Sequence, residues 1–552
     1  MRYSGTDQNT TKISNWLWIQ SPITQPGMFK FFKLGAIPLS PFLFAVYPIL
    51  SLFSHNIEQV YYNVLIFPIT VSAVGTFLLI LLLKLFIADK LKISAIASTF
   101  LILFFSYGYV REFALKSGEF GVIIARHRYF FLIWILVFIL STYFLKNTRH
   151  LFKLTRFLNV FGIALISFSI AGIVIYKINE PKLNSLLTLN PEDEKLIKII
   201  SRHEKPLPDI YYIVPDAYAN YYTLRDDFKY DNGEFVKFLR DKGFWVPLNS
   251  KSNYHITGFS LPSSLNMEYI DYLAEEMKGR SPDDFSVPYK MIRNNKVMRI
   301  LKGGGYKFVN FNSGWAVTNH NKYADIEYDN NFFEEFSILL ARTTVLRPWF
   351  SSSIGSSFAA VDLYEQTRKR VLFTFDKLGN EIPYIESPKF VFAHIGSPHV
   401  PYVFGPDGEK LSVAGYDEPR HTQDDYNNFY LGQLKFITKQ IQMMIESILA
   451  NSKTPPIIII QSDHGQELEC KMTDKILGDE THSDRCLKAV VSNFAAYYIP
   501  NKKISGGEIS PVNTFRTVFN AYFNSSYEIL ENTHYYNKEG YVFDKIPPQR
   551  LK

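Results

Sequence analysis

Three runs of β-branched and aromatic residues in this chain end in side chains that bind cations or carry protons. Ile210–Val214 leads into Pro215 and Asp216. Phe390–Ala393 leads into His394 and then Ser397-Pro398-His399-Val400-Pro401. Ile457–Gln461 leads into Ser462-Asp463-His464-Gly465. Aspartate and histidine are hard-to-borderline ligands suited to zinc, manganese or magnesium. Carboxylates that converge on one sheet edge repel unless a cation or a proton lies between them. Singly, each residue has an ordinary explanation, because an Asp after a strand is usually a turn or capping residue. Their joint placement at strand ends is what points to a metal site. A fourth stretch, from Asn253 through Thr257, Ser260 and Pro262 to Ser264, crowds hydroxyls where a loop turns into a helix. A Thr or Ser at a helix N-terminus can attack phosphorus if a metal lowers its pKa. The helix end also favours an anionic group. The ordinary alternative is a plain Ser/Thr cap.

These residues need a scaffold that brings strand ends together. After Pro208, short strand-like runs alternate with amphipathic helical runs. The strand candidates are Ile210–Val214, Lys307–Phe311, Phe390–Ala393, Ile457–Gln461 and Phe494–Ile499. The helix candidates include Glu234–Lys242, Lys290–Leu301, Tyr426–Leu449 and Val512–Phe523. Such alternation predicts an α/β domain with helices on both faces of a sheet. In that architecture chemistry collects at the carboxyl ends of the strands.

The first third is different. Five apolar runs occupy Leu34–Leu52, Val64–Ile87, Ile93–Tyr109, Phe130–Leu145 and Leu158–Tyr176. Each approaches the roughly 20 residues that span a hydrocarbon core. A polar N-terminal segment with no early apolar core argues against a cleaved signal peptide. Lys and Arg counts place the N-terminus inside and the C-terminal part outside, although Arg111, Lys116, Arg126 and Arg128 object to this orientation. The expected organisation is five helices in residues 1–177, a linker at 178–208 and an extracytoplasmic catalytic domain at 209–552. A net charge of +7 over 552 residues is too mild to argue for nucleic acid. Two cysteines, Cys470 and Cys486, exclude a disulfide scaffold or a Cys-based zinc cluster. They leave either one disulfide or two free thiols.

Taken together, the motifs resemble the alkaline phosphatase superfamily, which includes the sulfatases. Within it they look most like the membrane phosphoethanolamine transferases, with the lipoteichoic acid synthases next. Thr257-Gly-Phe-Ser260-Leu-Pro262 resembles the nucleophile segment of the transferases. His394-Ile-Gly-Ser-Pro-His399-Val-Pro401 resembles their H-x4-H-x-P segment, and Asp463-His464-Gly465 the shared metal motif. The resemblance implies a mixed, mainly parallel sheet and a cytoplasmic-membrane enzyme. Asp216, Thr257, Asp463 and His464 would hold a divalent metal, zinc or manganese before magnesium or calcium, and Thr257 would be the nucleophile. His399, His482 and His394 would contact substrate or a second metal. A lipid would donate its phospho-headgroup, and an envelope glycan or lipid would accept it.

Three departures bear on the substrate. The transferases carry several disulfides here, they have Glu where Asp216 stands, and in this chain Gln466 separates the Asp-His-Gly motif from Glu467. A formylglycine sulfatase needs Arg where Ser264 stands. The alternatives are a membrane-tethered hydrolase of phosphate or sulfate esters, with Ser260 as second nucleophile candidate, and a domain that has lost catalysis.

Overall fold

The structure is a computed structural model. It describes residues 37–185, 187–203, 206–330, 335–350, 363–411, 422–466, 484–502, 508–537 and 540–551. Six strands form one sheet in the order β3-β2-β4-β1-β5-β6. They are β1 (Ile210–Asp216), β2 (Lys307–Phe311), β3 (Ile326–Tyr328), β4 (Lys389–Pro398), β5 (Ile457–Gln461) and β6 (Ala495–Tyr498). All neighbours pair parallel except β5 with β6. β7 (Tyr535–Asn537) and β8 (Phe543–Lys545) form a separate antiparallel ribbon.

The central strands β1, β4 and β5 are buried along almost their whole length and mainly apolar, as expected where both faces are covered. Tyr211, Ile213, Val391, Ala393, Ile458 and Ile460 pack on one face, under Leu434, Ile437 and Ile441 of the helix Gln423–Asn451. Ile210, Tyr212, Phe390, Phe392, Ile457 and Ile459 pack on the other, against Val297, Leu301, Phe515 and Phe519. The period-two alternation of strand side chains produces this split. At the amino ends of β1 and β4, the buried Lys389 Nζ meets Asp209 Oδ2 at 2.5 Å.

Every expected strand is present, but β4 runs on to Pro398. His394 therefore lies within the strand, not after it. The single helix expected over Lys290–Leu301 is two, Ser286–Arg293 and Lys296–Gly303. Asn295 breaks it, because its side chain accepts from Met298 N and caps the second helix. β3 escapes a periodicity argument because it has only three residues, none fully buried.

The described part of each of the five apolar runs lies mainly on a helix. Among the described residues, four helices, Tyr62–Lys84, Lys90–Leu115, His127–Asn147 and Leu151–Glu180, are long and apolar enough to cross a membrane by length and composition. The first, Ser40–His55, has 16 residues and Pro48 within it. A helix from much later in the chain, Glu335–Thr343, packs on this bundle. Its Phe336 and Leu340 join Phe44, Ile49, Phe53, Leu101 and Phe105 in one cluster. Gly108 lets it approach, since a Cβ there would lie 2.4 Å from Arg342 O.

Candidate metal centre

The centre is built where β1, β4 and β5 end side by side. Asp216 closes β1, and the next residue, Ala217, takes a positive φ of 57°. This is an uncommon conformation for a residue with a Cβ. The turn holds its shape through Ala217 N, which donates to Asp463 Oδ1 at 3.2 Å, and Ala217 O, which accepts from Tyr430 Oη at 2.9 Å. Asp463 is thereby fixed by one oxygen while Oδ2 stays free of hydrogen bonds.

The loop after β5 is fixed just as firmly. Ser462 Oγ accepts from Tyr218 N at 2.8 Å and donates to His464 O at 2.7 Å. Asn493 Nδ2 donates to Ser462 O at 2.6 Å. Gly465 is required by packing: a Cβ would lie 2.0 Å from Ala489 O. His464 Nδ1 donates to Gly465 O at 2.7 Å, so that Nε2 is the nitrogen turned toward the two carboxylates. His464 Nε2 lies 3.5 Å from Asp216 Oδ1 and 3.4 Å from Asp463 Oδ2.

Ligand atoms of Asp216, Asp463 and His464 therefore fall within 4.8 Å of one another, all on buried residues. Asp216 Oδ1, Asp463 Oδ2 and His394 Nε2 are buried without a hydrogen-bond partner. Buried carboxylate oxygens left unmatched are costly unless a cation satisfies them. This donor set of two carboxylates and an imidazole fits a divalent metal of the zinc or manganese kind. Burial works to raise the Asp216 carboxyl, but the facing His399, His394 and His464 outweigh it and hold the group below its ordinary range.

The remaining sequence candidates divide. Thr257 is the first residue of the helix Thr257–Asn266, and its Oγ1 lies 3.3 Å from His464 Nε2. Ser260, one turn further, is buried with its Oγ on Asp463 O. His394 Nε2 lies 3.4 Å from Asp216 Oδ2. His399 Nδ1 donates to Val400 O at 2.9 Å, and its ring stands 6.2 Å from that of His464. Arg485, just beyond His482 in sequence, pairs with Asp227 at 2.7 Å. His482 and Cys470 lie outside the described residues.

Two supporting residues were not singled out from sequence. Thr318 Oγ1 meets His394 Nδ1 at 3.0 Å. Gln433 braces the His399 loop by donating to Pro398 O and His399 O at 3.1 and 2.9 Å. A signal for Gln433 existed: it is a polar residue on the apolar stripe with Tyr430, Leu434 and Ile437. Thr318 carries no comparable signal.

No protein-family model matches the chain, and no curated protein matches it. Among solved structures it is similar to the C-terminal periplasmic domain of EptC from Escherichia coli. That match is 12% identical, covers 61% of this chain and 91% of that one, and has a TM-score of 0.40. It is also similar to the same domain of the phosphoethanolamine transferase EptC from Campylobacter jejuni, at 13% identity, 59% and 92% coverage and a TM-score of 0.35. A third match is an alkaline phosphatase superfamily protein from Vibrio parahaemolyticus, at 11% identity, 60% and 74% coverage and a TM-score of 0.36. Similarity this distant assigns a role to no residue of the chain.

Proposed function

We propose that the chain is a metal-dependent enzyme of the alkaline phosphatase superfamily type, held in the cytoplasmic membrane, that transfers a phospho-headgroup through a covalent Thr257 intermediate. One observation supports this reading above the others. Two unmatched buried carboxylate oxygens and the Nε2 of His464 converge where Thr257 Oγ1 opens a helix.

Asp216, Asp463 and His464 would hold the metal, with Thr257 Oγ1 facing the same point. Bound there, a divalent cation supplies Lewis-acid polarisation and lowers the pKa of a nearby hydroxyl. Thr257 Oγ attacks phosphorus, the bond from phosphorus to the donor alcohol breaks, and that alcohol leaves with a proton. In the second half, an acceptor hydroxyl attacks phosphorus and loses its proton, and the Thr257 oxygen departs and is reprotonated. The helix N-terminus holds the anionic group in both halves. His394, His399 and His482 are proposed to contact that group or a second ion.

Five spans, with Ser40–His55 as the first, put the N-terminus inside and residues 209–552 outside; the basic residues of the cytoplasmic loops support this orientation. A lipid donor and a glycan or lipid acceptor suit such an anchored enzyme. If water is the acceptor, the same residues make a hydrolase of phosphate or sulfate esters.

Peptide-mapped mass spectrometry of the full-length protein, purified from membranes with divalent metal kept present, tests the intermediate. An adduct on Thr257 that is lost in Thr257→Ala supports it, and its mass names the transferred group. An adduct on Ser260 instead would overturn it.

A further inference from the structure

The one-turn helix Ala316–Asn319 stands between the strand-end cluster and the apolar bundle. On the cluster side, its Thr318 Oγ1 meets His394 Nδ1 at 3.0 Å, and Ser313 Oγ meets the same hydroxyl at 2.6 Å. The Trp315 ring packs edge-on to His394 at 5.9 Å. His394 is thus aimed at Asp216 by what this turn does.

On the bundle side, Arg293 is buried and spends its guanidinium on main-chain carbonyls from two different parts of the chain. Nε donates to Val317 O at 3.1 Å and Nη2 to Ala316 O at 2.9 Å. Nη1 donates to Glu58 O at 2.7 Å, and Nη2 also reaches Gln59 O. The guanidinium carbon lies 4.9 Å from the centre of the Tyr61 ring. Glu58, Gln59 and Tyr61 belong to the connection between the first two bundle helices. A rigid, planar donor fork therefore links that connection to the turn beside His394.

The same peptide is gripped a second time. Ala316 N donates to Glu335 Oε2 at 2.9 Å. Glu335 opens the helix whose Phe336 and Leu340 are sunk into the bundle cluster. Ala316 is held by its carbonyl through Arg293, whose guanidinium also reaches the bundle connection, and by its amide through Glu335, whose helix packs on the bundle.

We propose that Arg293 and Glu335 are positioning residues that make the alignment of His394 depend on how the α/β part is seated on the apolar bundle, through Ala316 and Thr318. The proposal rests on the strand-end cluster being the working site. A small shift of Glu58 and Gln59 relative to Ala316 and Val317 cannot keep all four carbonyls on one guanidinium. Seating is therefore communicated as a made or broken set of hydrogen bonds.

The test uses the full chain in lipid nanodiscs. Hydrogen exchange is followed in peptides covering 313–320 and 389–399, together with bound zinc and turnover of bis-p-nitrophenyl phosphate. Arg293→Gln, Glu335→Gln and the milder Arg293→Lys are each expected to speed exchange at 313–320 and to lower kcat by about tenfold. KM and zinc content should change by less than about twofold. Thr318→Val should lower kcat similarly, Thr318→Ser should restore it, and Arg293→Gln with Thr318→Val should be no worse than either alone. Unchanged exchange and kcat in Arg293→Gln, or losses that multiply in the double variant, would overturn the proposal. If Asp463→Asn turns over as fast as the native chain, or the native chain does not turn over at all, the site assignment fails instead. The exchange response still decides the coupling in that case.

Discussion

The Ser260 hydroxyl donates a hydrogen bond to the main-chain carbonyl of Asp463 over 2.5 Å. The helix that carries Thr257 is thereby stapled to the loop that carries two of the three clustered ligand residues. The contact also separates the roles of the two hydroxyls in the segment. The Ser260 oxygen is spent and buried, whereas the half-buried Thr257 oxygen faces His464 Nε2 at 3.3 Å.

Thr257→Ala is expected to abolish the covalent adduct and to lower turnover by at least about a thousandfold, as loss of a nucleophile does. Thr257→Ser should keep a measurable fraction. Ser260→Ala should instead lower thermal stability and loosen metal binding while the adduct still forms. Mass spectrometry and thermal melts on the same preparations separate these outcomes.

Metal removal gives a second expectation. A cation bound by the folded state stabilises it by mass action. A chelator should therefore lower the melting temperature of the native chain and stop its turnover. In Asp463→Asn, elemental analysis should find little bound zinc or manganese, and chelator should no longer move the melt. A melt in Asp463→Asn that responds as the native one does would show that the ion sits elsewhere.

The Glu58 carboxyl, on the connection between the first two bundle helices, is pushed up to about 8. Burial is the main cause and the Asp284 carboxylate the next, with Arg280 opposing; Tyr176, Tyr289 and Tyr541 also face it. A raised acid favours the protonated, packed form. Its contribution is complete below the ordinary value of 4.5 and is lost as the pH rises through about 8. Protection of the amides around residues 56–62, taken relative to their base-catalysed intrinsic exchange rates, should therefore fall above about pH 8 in the native chain and stay level in Glu58→Gln.

Gly465→Ala places a methyl group against Ala489 O and the Ser492 backbone. Overpacking of this kind costs about 1–3 kcal/mol. It should displace His464 as well, so that chemical denaturation and zinc titration both register it.

At the far end of the sheet, Asp209→Asn would leave Lys389 buried without its anion. Breaking such a pair costs about 3–5 kcal/mol. Replacing both residues with apolar ones of similar volume should cost far less. Denaturant midpoints of the single and double variants decide this, with zinc content expected unchanged in both.

The strand ends were readable because strong, short-range signals coincided there. The apolar runs before Asp216, His394 and Asp463 could hardly be anything but buried strands, and Asp and His are chemically loud residues after them. The break at Asn294 and Asn295 was readable in principle from Asn capping but was outweighed by the helical pattern on either side. Thr318, Arg293 and Glu335 were not readable. Each acts on main-chain groups distant in sequence, and a carbonyl leaves no mark in composition or period. The first bundle helix illustrates another limit. Its apolar run was visible, but the run begins outside the described residues and the helix itself has only 16 residues.

The packing of Phe336 and Leu340 on the bundle has a consequence for biogenesis. The ribosome finishes Leu151–Glu180 long before it makes Glu335–Thr343, so the bundle waits for a piece of itself that arrives with the α/β part. Nascent chains released before residue 335 should accordingly leave Phe53 and Phe105 accessible to chaperones and proteases that the finished protein resists. Quality control of this protein would then act on one late joining event and not on insertion alone.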